Sequence, residues 1–383
     1  MSPDRPVGTR VLDWIAASRR RWLAVGMVLC ALLPPLFSWP ELPPMPGAAQ
    51  AAWRQYWRDV VTLKVDNPWL DYTREFPAES NQAKRNFRMT VPLLAHATGF
   101  GFAAVPVIRF AFQALLLACL LLAAERACGD PVAALCAALA VAGTYVGTSV
   151  WMDDWGWFDN CAQALMALAL VLRRPFWACA AVVAAAFTDE RALIAVPLIA
   201  LFHAWTGGRR GLVWAPVAAI PCYLLGRLLV GAAFRIATAS AGIGTADMIF
   251  PNLRVSMLGA WSSLEGGWLL VAIACLAAAG AANRRAAAFL AFAAAAPVAT
   301  SVLVIDFSRS ASYAFPATLA ALALWASQVA GHGIAVDRAS LRRWTALAAA
   351  VSLLSPNVFI MGRTFVERNV LFHGLSGAFH THP

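Results

Sequence analysis

The chain has 383 residues, of which 61% are hydrophobic and 13% charged, with a mean hydropathy of +0.65. A soluble domain carries roughly 25% charged residues, so this composition excludes an ordinary water-soluble fold and leaves a polytopic helical membrane protein. The net charge of +10 does not point to nucleic acid, because the basic residues fall in short clusters between apolar runs, as the positive-inside bias expects, and not in one stripe.

Residues 1–21 form a cytoplasmic segment whose five arginines, Arg5, Arg10, Arg19, Arg20 and Arg21, precede the first apolar run, with an amphipathic stretch over 10–19. Residues 22–38 read as an uncleaved first transmembrane helix, since Trp39-Pro40-Glu41-Leu42-Pro43-Pro44 follows it and no small-x-small cleavage site does. Residues 39–101 are then a long outer loop, too charged for hydrocarbon. Within it, residues 48–64 space Trp53, Tyr56, Trp57, Val60, Val61 and Leu63 mostly three and four apart, which predicts an amphipathic helix lying on the membrane. Residues 80–88 predict a second short helix leading to Pro92.

Further spans are predicted near 102–124, 132–150, 158–172, 176–187, 192–205, 212–231, 267–282, 286–305, 311–330 and 344–361. The fold class is therefore all-α, a bundle of about eleven spans: a transmembrane core over 102–231 (spans 2–7), a second outer loop over 232–266, spans 8–11 over 267–361 and an outer tail over 362–383. Cys30, Cys119, Cys136, Cys179, Cys222 and Cys275 lie inside apolar runs and Cys128 and Cys161 near their ends, so no disulfide framework is predicted.

This topology sorts the charges. Arg126, Arg173-Arg174, Arg209-Arg210, Arg284-Arg285, Arg338 and Arg342-Arg343 join the N-terminal arginines on one side, while most carboxylates collect on the other. Four outer groups could carry chemistry. The first loop offers Asp66, Asp71, Glu75 and Glu79, with Asp66 and Asp71 beside Trp69, Tyr72 and Phe76. A carboxylate partly desolvated by aromatic rings is a better proton acceptor, and a solvated loop surface is the plainer reading.

Asp153-Asp154 and Asp159 stand among Trp151, Trp155 and Trp157, where an aromatic belt is the plainer reading. Asp189-Glu190-Arg191 sits between two apolar segments shorter than the roughly 20 residues a crossing needs, so these charges either lie in a thinned region or at the floor of a cavity, where they could hold a phosphate or a sugar, and an internal salt bridge that lets a helical hairpin turn is the plainer reading. Asp306, Ser308 and Arg309 form the last group. The outward arginines Arg227, Arg235, Arg254 and Arg309 run against the charge bias and ask for anionic partners, or else snorkel at the interface. The tail histidines His373, His380 and His382 have irregular spacing, which argues against a metal site.

The acidic loop around 66–79, the run Arg85-Asn86-Phe87-Arg88-Met89-Thr90-Val91-Pro92-Leu93-Leu94, Thr188-Asp189-Glu190-Arg191 and Asp306-Phe307-Ser308-Arg309 together resemble the GT-C superfamily of integral-membrane glycosyltransferases. The resemblance implies a bacterial inner-membrane enzyme that moves a sugar from a polyprenyl-phosphate-linked donor to a periplasmic or extracellular acceptor. It implies a loop carboxylate as base, Asp66 or Asp71, since no Asp-Glu pair or Asp-x-Asp stands in the loop to choose between them. It further implies substrate and phosphate contacts from Arg88, Asp154, Asp159, Arg191, Arg254 and Arg309, and a divalent cation, Mg²⁺ or Mn²⁺, at Asp189 and Glu190. The partners expected are the lipid-linked sugar and the bilayer. A transporter or flippase of a lipid-linked or anionic substrate, and a non-catalytic membrane subunit, are the alternatives; a transporter would show pseudo-symmetric halves, and none are visible.

Overall fold

The computed structural model describes residues 18–37, 47–77, 80, 82–152, 156–237, 253–302, 307–331, 338–355, 358–361 and 364–367. The first helix, α1 (Arg19–Phe37), buries Trp22, Gly26, Cys30 and Pro34, one residue every fourth position, and turns Val28, Leu32 and Leu36 outward. A single buried stripe with apolar residues on the remaining face suits a helix docked on a bundle and wetted by lipid on its other side. Trp22 fixes its lower end by donating Nε1–H to the Pro131 carbonyl at 2.8 Å.

The predicted loop helix is α2 (Gly47–Asp66), followed by 3₁₀ turns over Tyr72–Arg74 and Ala83–Arg85 and then α3 (Thr90–Thr98). The single helix predicted over 80–88 is thus only a short 3₁₀ turn: the polar groups of this segment bond to other parts of the protein, as described below, and no apolar stripe sets a helical period. The body comprises α4 (Ala104–Cys128), α5 (Pro131–Ala142), α6 (Tyr145–Met152), α7 (Asp159–Val171), α8 (Pro175–Ala186), α9 (Val196–Trp205), α10 (Arg210–Phe234), α11 (Leu253–Leu264), α12 (Gly266–Gly280), α13 (Arg284–Ser301), α14 (Phe307–Ala311), α15 (Pro316–Gly331) and α16 (Arg338–Leu354). One continuous apolar core joins most of these helices. Alanine supplies much of it, as in α5, whose Ala133, Ala134, Ala137, Ala138 and Ala140 are all buried. Without a solvent-driven force between helices in lipid, small side chains that let backbones come close supply the packing.

Among the described residues three helices are long and apolar enough to cross a membrane, α1, Gly101–Cys128 and α10, or up to five if each of two bent pairs counts as one span. The eleven spans expected from the sequence are therefore not matched by eleven membrane-length helices. The span expected at 132–150 breaks by 58° between α5 and α6, and the one at 267–282 is the second limb of an 82° bend whose first limb is α11. Gly147 permits the first break, because a Cβ there would stand 2.0 Å from the Ala142 carbonyl oxygen. Helices α7 and α8, at 13 and 12 residues, span only about 20 Å and 18 Å at 1.5 Å per residue. The last expected span, 344–361, also changes: α16 ends at Leu354, and Val358–Met361 pairs antiparallel with Thr364–Glu367 as the hairpin β1–β2. Among the described residues the fold is helical with this one small sheet, and the β1–β2 pair extends into the expected tail.

Candidate functional site

The first loop is clamped onto the end of α8. Phe187, just past that helix, accepts from the backbone N–H of Met89 at 2.7 Å, and Thr90 Oγ1 donates to the Ala184 carbonyl at 2.8 Å. These bonds satisfy carbonyls that a helix end leaves without partners. They also carry Arg88 to the turn that follows α8, where Asp189 caps the next 3₁₀ segment by accepting from the Arg191 N–H at 3.0 Å.

At this corner the charges predicted separately in the sequence meet. Asp159, the first residue of α7, accepts from Arg309 twice, Nε to Oδ2 at 2.6 Å and Nη2 to Oδ1 at 3.1 Å, and from Arg191 Nη2 at 3.1 Å. Tyr145 adds its hydroxyl at 2.9 Å. Asp189 takes Arg191 through Nε at 2.8 Å and again through Nη2, and stands 3.2 Å from Arg88 Nη1. Arg88 Nη2 reaches Glu190 at 3.3 Å, and Arg191 Nη1 donates to Ser310 Oγ at 2.9 Å. The Arg309 guanidinium lies 3.8 Å over the ring of Trp157.

Asp159 and Asp189 are fully buried and Arg309 almost so, while Glu190 is 42% exposed. Three guanidinium groups thus face three carboxylates. Burying charge is costly unless it is paired and hydrogen-bonded, and here the cluster neutralises itself. The sequence reading gave Arg191 and Arg309 an anionic ligand; in the structure Asp159 and Asp189 already supply the anions. The divalent cation expected at Asp189 and Glu190 meets the same obstacle, since Asp189 is taken by Arg88 and Arg191 and Glu190 by Arg88. Among the described residues no three His, Cys, Asp or Glu side chains group to hold a metal.

A second feature adjoins the cluster through Arg88. A pocket between α2 and α3 is lined by Lys64, Arg85, Arg88 and Tyr72, with Val60, Val61, Pro92, Gly156 and Phe158 as its apolar walls. No carboxylate stands among these residues. Gly156, at φ 66°, brings its turn so close to α2 that a Cβ would lie 2.2 Å from Val61 Cγ2. Lys64 is buried, donating to the Leu70 carbonyl at 2.6 Å with its ammonium 5.0 Å from the Tyr72 ring. Burial pulls its pKa from the ordinary lysine value of 10.5 down to about 8, with nearby Asp71 opposing. Arg85 lies 4.1 Å over the ring of Trp57.

The two loop carboxylates fare differently. Asp71 is buried and accepts from Thr73 N–H at 3.0 Å, Thr73 Oγ1 at 2.8 Å, Asn86 Nδ2 at 2.8 Å and Ala237 N–H at 3.1 Å. Burial alone would raise its pKa, but the bonds from Thr73, Ala237 and Asn86 outweigh burial and hold it below the usual carboxylate range. It works as a tie between the loop and the end of α10, alongside Trp69, which stacks on Phe234 with ring centroids 3.9 Å apart. Asp66 is exposed at the end of α2. Two residues beyond Lys64, it lies about 200° round the helix, on the side away from the pocket.

The structure thus gathers Arg88, Asp159, Asp189, Glu190, Arg191 and Arg309, and leaves Asp66 and Asp71 outside the gathering. Asp154 lies outside the described residues, as do Glu79, Asp153, Asp306 and the tail histidines, and of Arg254 only the backbone, in α11, is described. Sequence reasoning missed Tyr145, Asn86 and the pocket role of Lys64. For Lys64 a signal existed: it falls four residues after Val60, on the apolar stripe of an amphipathic helix, where a cation is out of place. The chain matches no family model, no curated protein and no solved structure.

Proposed function

We propose that the pocket between α2 and α3 binds the phosphate of a lipid-borne donor and that the chain transfers the sugar from it, as a membrane glycosyltransferase of GT-C type acting on a polyprenyl-phosphate-linked sugar. The observation that carries this reading is the convergence of Lys64, Arg85 and Arg88 on one pocket with apolar walls beneath an amphipathic helix. A polyprenyl phosphate has the matching form, an anion on an apolar chain. When the bond between the anomeric carbon and the phosphate oxygen breaks, charge grows on the phosphate, and cations already in place stabilise it without reorganising.

In this reading the buried cluster, Arg88 apart, holds the machinery and does not bind substrate. Asp189 and Glu190 orient Arg88 toward the pocket, while Asp159, Arg191 and Arg309 lock the outer ends of α7, the turn after α8 and α14 together. The acceptor hydroxyl gives its proton to a base at the outer end of α3.

The test uses the full chain in nanodiscs with farnesyl phosphate as a short-chain probe. Saturable binding is expected, weakened at least about tenfold in Lys64→Met and in Arg85→Met, because each removes a cation that meets the phosphate. Binding indifferent to both substitutions would sink the reading.

A second reading, movement of a lipid-linked anion across the membrane, draws on the two bent pairs α5–α6 and α11–α12, since transporters build their sites from interrupted helices. Proteoliposomes that redistribute a fluorescent polyprenyl phosphate between leaflets while transferring no sugar would favour it.

A further inference from the structure

His96 lies in the last turn of α3 with its ring exposed. Its Nδ1 stands 2.9 Å from the Val65 carbonyl oxygen at the end of α2. A carbonyl only accepts, so Nδ1 carries the hydrogen, and Nε2 is the nitrogen left to take a proton. Pro92, four residues earlier, lines the cationic pocket. Four residues on an α-helix differ by about 40° in direction and about 6 Å in height, so His96 stands on the same side of α3 as the pocket, about one sugar ring farther out. Lys64, the residue before Val65, lines that pocket from α2. The bond from His96 therefore ties the imidazole to the same corner that holds the pocket's buried cation. Neither loop carboxylate has this placement: Asp66 faces the far side of α2 and Asp71 is saturated by four hydrogen bonds.

We propose that His96 is the general base of the transfer reaction. This rests on the glycosyltransferase reading and replaces its expected carboxylate base. The acceptor O–H proton passes to His96 Nε2 as the hydroxyl oxygen forms its bond to the anomeric carbon. The bond from that carbon to the phosphate oxygen breaks, its electron pair leaves with the polyprenyl phosphate, and Lys64, Arg85 and Arg88 hold the departing anion. The Nδ1 hydrogen bond to Val65 keeps the ring oriented throughout, and the imidazolium returns its proton to water.

The experiment separates the base from the tether. His96→Asn keeps an N–H donor for the Val65 carbonyl and lacks Nε2; His96→Ala lacks both. In nanodiscs holding the full chain, offered polyprenyl-phosphate glucose, mannose and galactose together with cell-envelope acceptors, His96→Asn is expected to lower kcat about 10²–10⁴-fold and to leave farnesyl phosphate affinity within twofold. Added imidazole is expected to restore part of the His96→Ala rate. A His96→Asn variant transferring at the wild-type rate would overturn the proposal, and so would loss of rate and of probe binding in step, which marks a structural role. If the wild-type chain neither binds farnesyl phosphate nor transfers a hexose, the transfer reading itself fails, and the base falls with it.

Discussion

Asp159 and Arg309 are 150 residues apart in the chain and meet as a two-bond pair, Nε to Oδ2 at 2.6 Å and Nη2 to Oδ1 at 3.1 Å, with neither side chain reaching solvent. The pair joins the start of α7 to α14, and Arg191 shares the same carboxylate. In a low-dielectric interior such a pair is worth most when both members are present.

Asp159→Ala should therefore unfold the chain more readily than Asp159→Leu combined with Arg309→Leu. Removing the carboxylate alone leaves buried guanidinium groups without a counter-charge, a cost of about 3–5 kcal/mol. The double change removes much of that burden. Thermal unfolding in detergent of Asp159→Leu, Arg309→Leu and the double variant, compared as a double-mutant cycle, checks it; a double loss equal to the sum of the two single losses would show that the pair is not coupled.

Asp71 ties the first loop to the end of α10, and its substitution should be read in stability. Its folded pKa lies below the ordinary value of 3.8, so its contribution is fully present above that value and is lost as pH falls through the folded pKa. Asp71→Asn should cost about 1–3 kcal/mol near neutral pH and should flatten the acid limb of a stability profile taken below pH 4. If wild type and variant lose stability in parallel over that limb, the tie is elsewhere.

Lys64 makes the opposite prediction. Its folded pKa of about 8 lies below the ordinary 10.5, so between these values the unfolded chain holds a proton that the folded chain has released, and stability rises with pH across the window. Lys64→Met should remove that slope. Farnesyl phosphate binding should weaken over the same range in the wild type, as the pocket loses one positive charge. Urea unfolding and probe titrations at pH 7, 8, 9 and 10 test both parts.

Gly156→Ala places a methyl group where Val61 Cγ2 now stands and puts a side chain at positive φ. Overpacking and backbone strain together should cost about 1–3 kcal/mol, and the turn must move away from α2, which opens the pocket. Weaker probe binding with the charges of Lys64, Arg85 and Arg88 all intact is the expected signature. Unchanged affinity would mean that the Gly156 wall plays no part in binding.

The sequence by itself determined that the chain is helical and apolar, with helices long enough to cross a membrane, because hydropathy and helical periodicity are carried by the residues themselves. It also located the amphipathic loop helix, whose apolar stripe from Trp53 to Leu63 follows the helical period, and it picked out Asp159, Asp189, Arg191 and Arg309 as charges set in apolar surroundings. Those are local properties, carried by neighbouring residues. Only the tertiary structure decided which charges neutralise one another, because Asp159 finds Arg191 and Arg309 across 32 and 150 residues and no short-range pattern encodes that choice. It also decided how many helices reach membrane length, since the bends between α5 and α6 and between α11 and α12 depend on how these helices pack. The roles of Asp66 and Asp71 belong to the same category: about half a turn of helix beyond Lys64 sends the first away from the pocket, and hydrogen bonds from Asn86 and Ala237 claim the second.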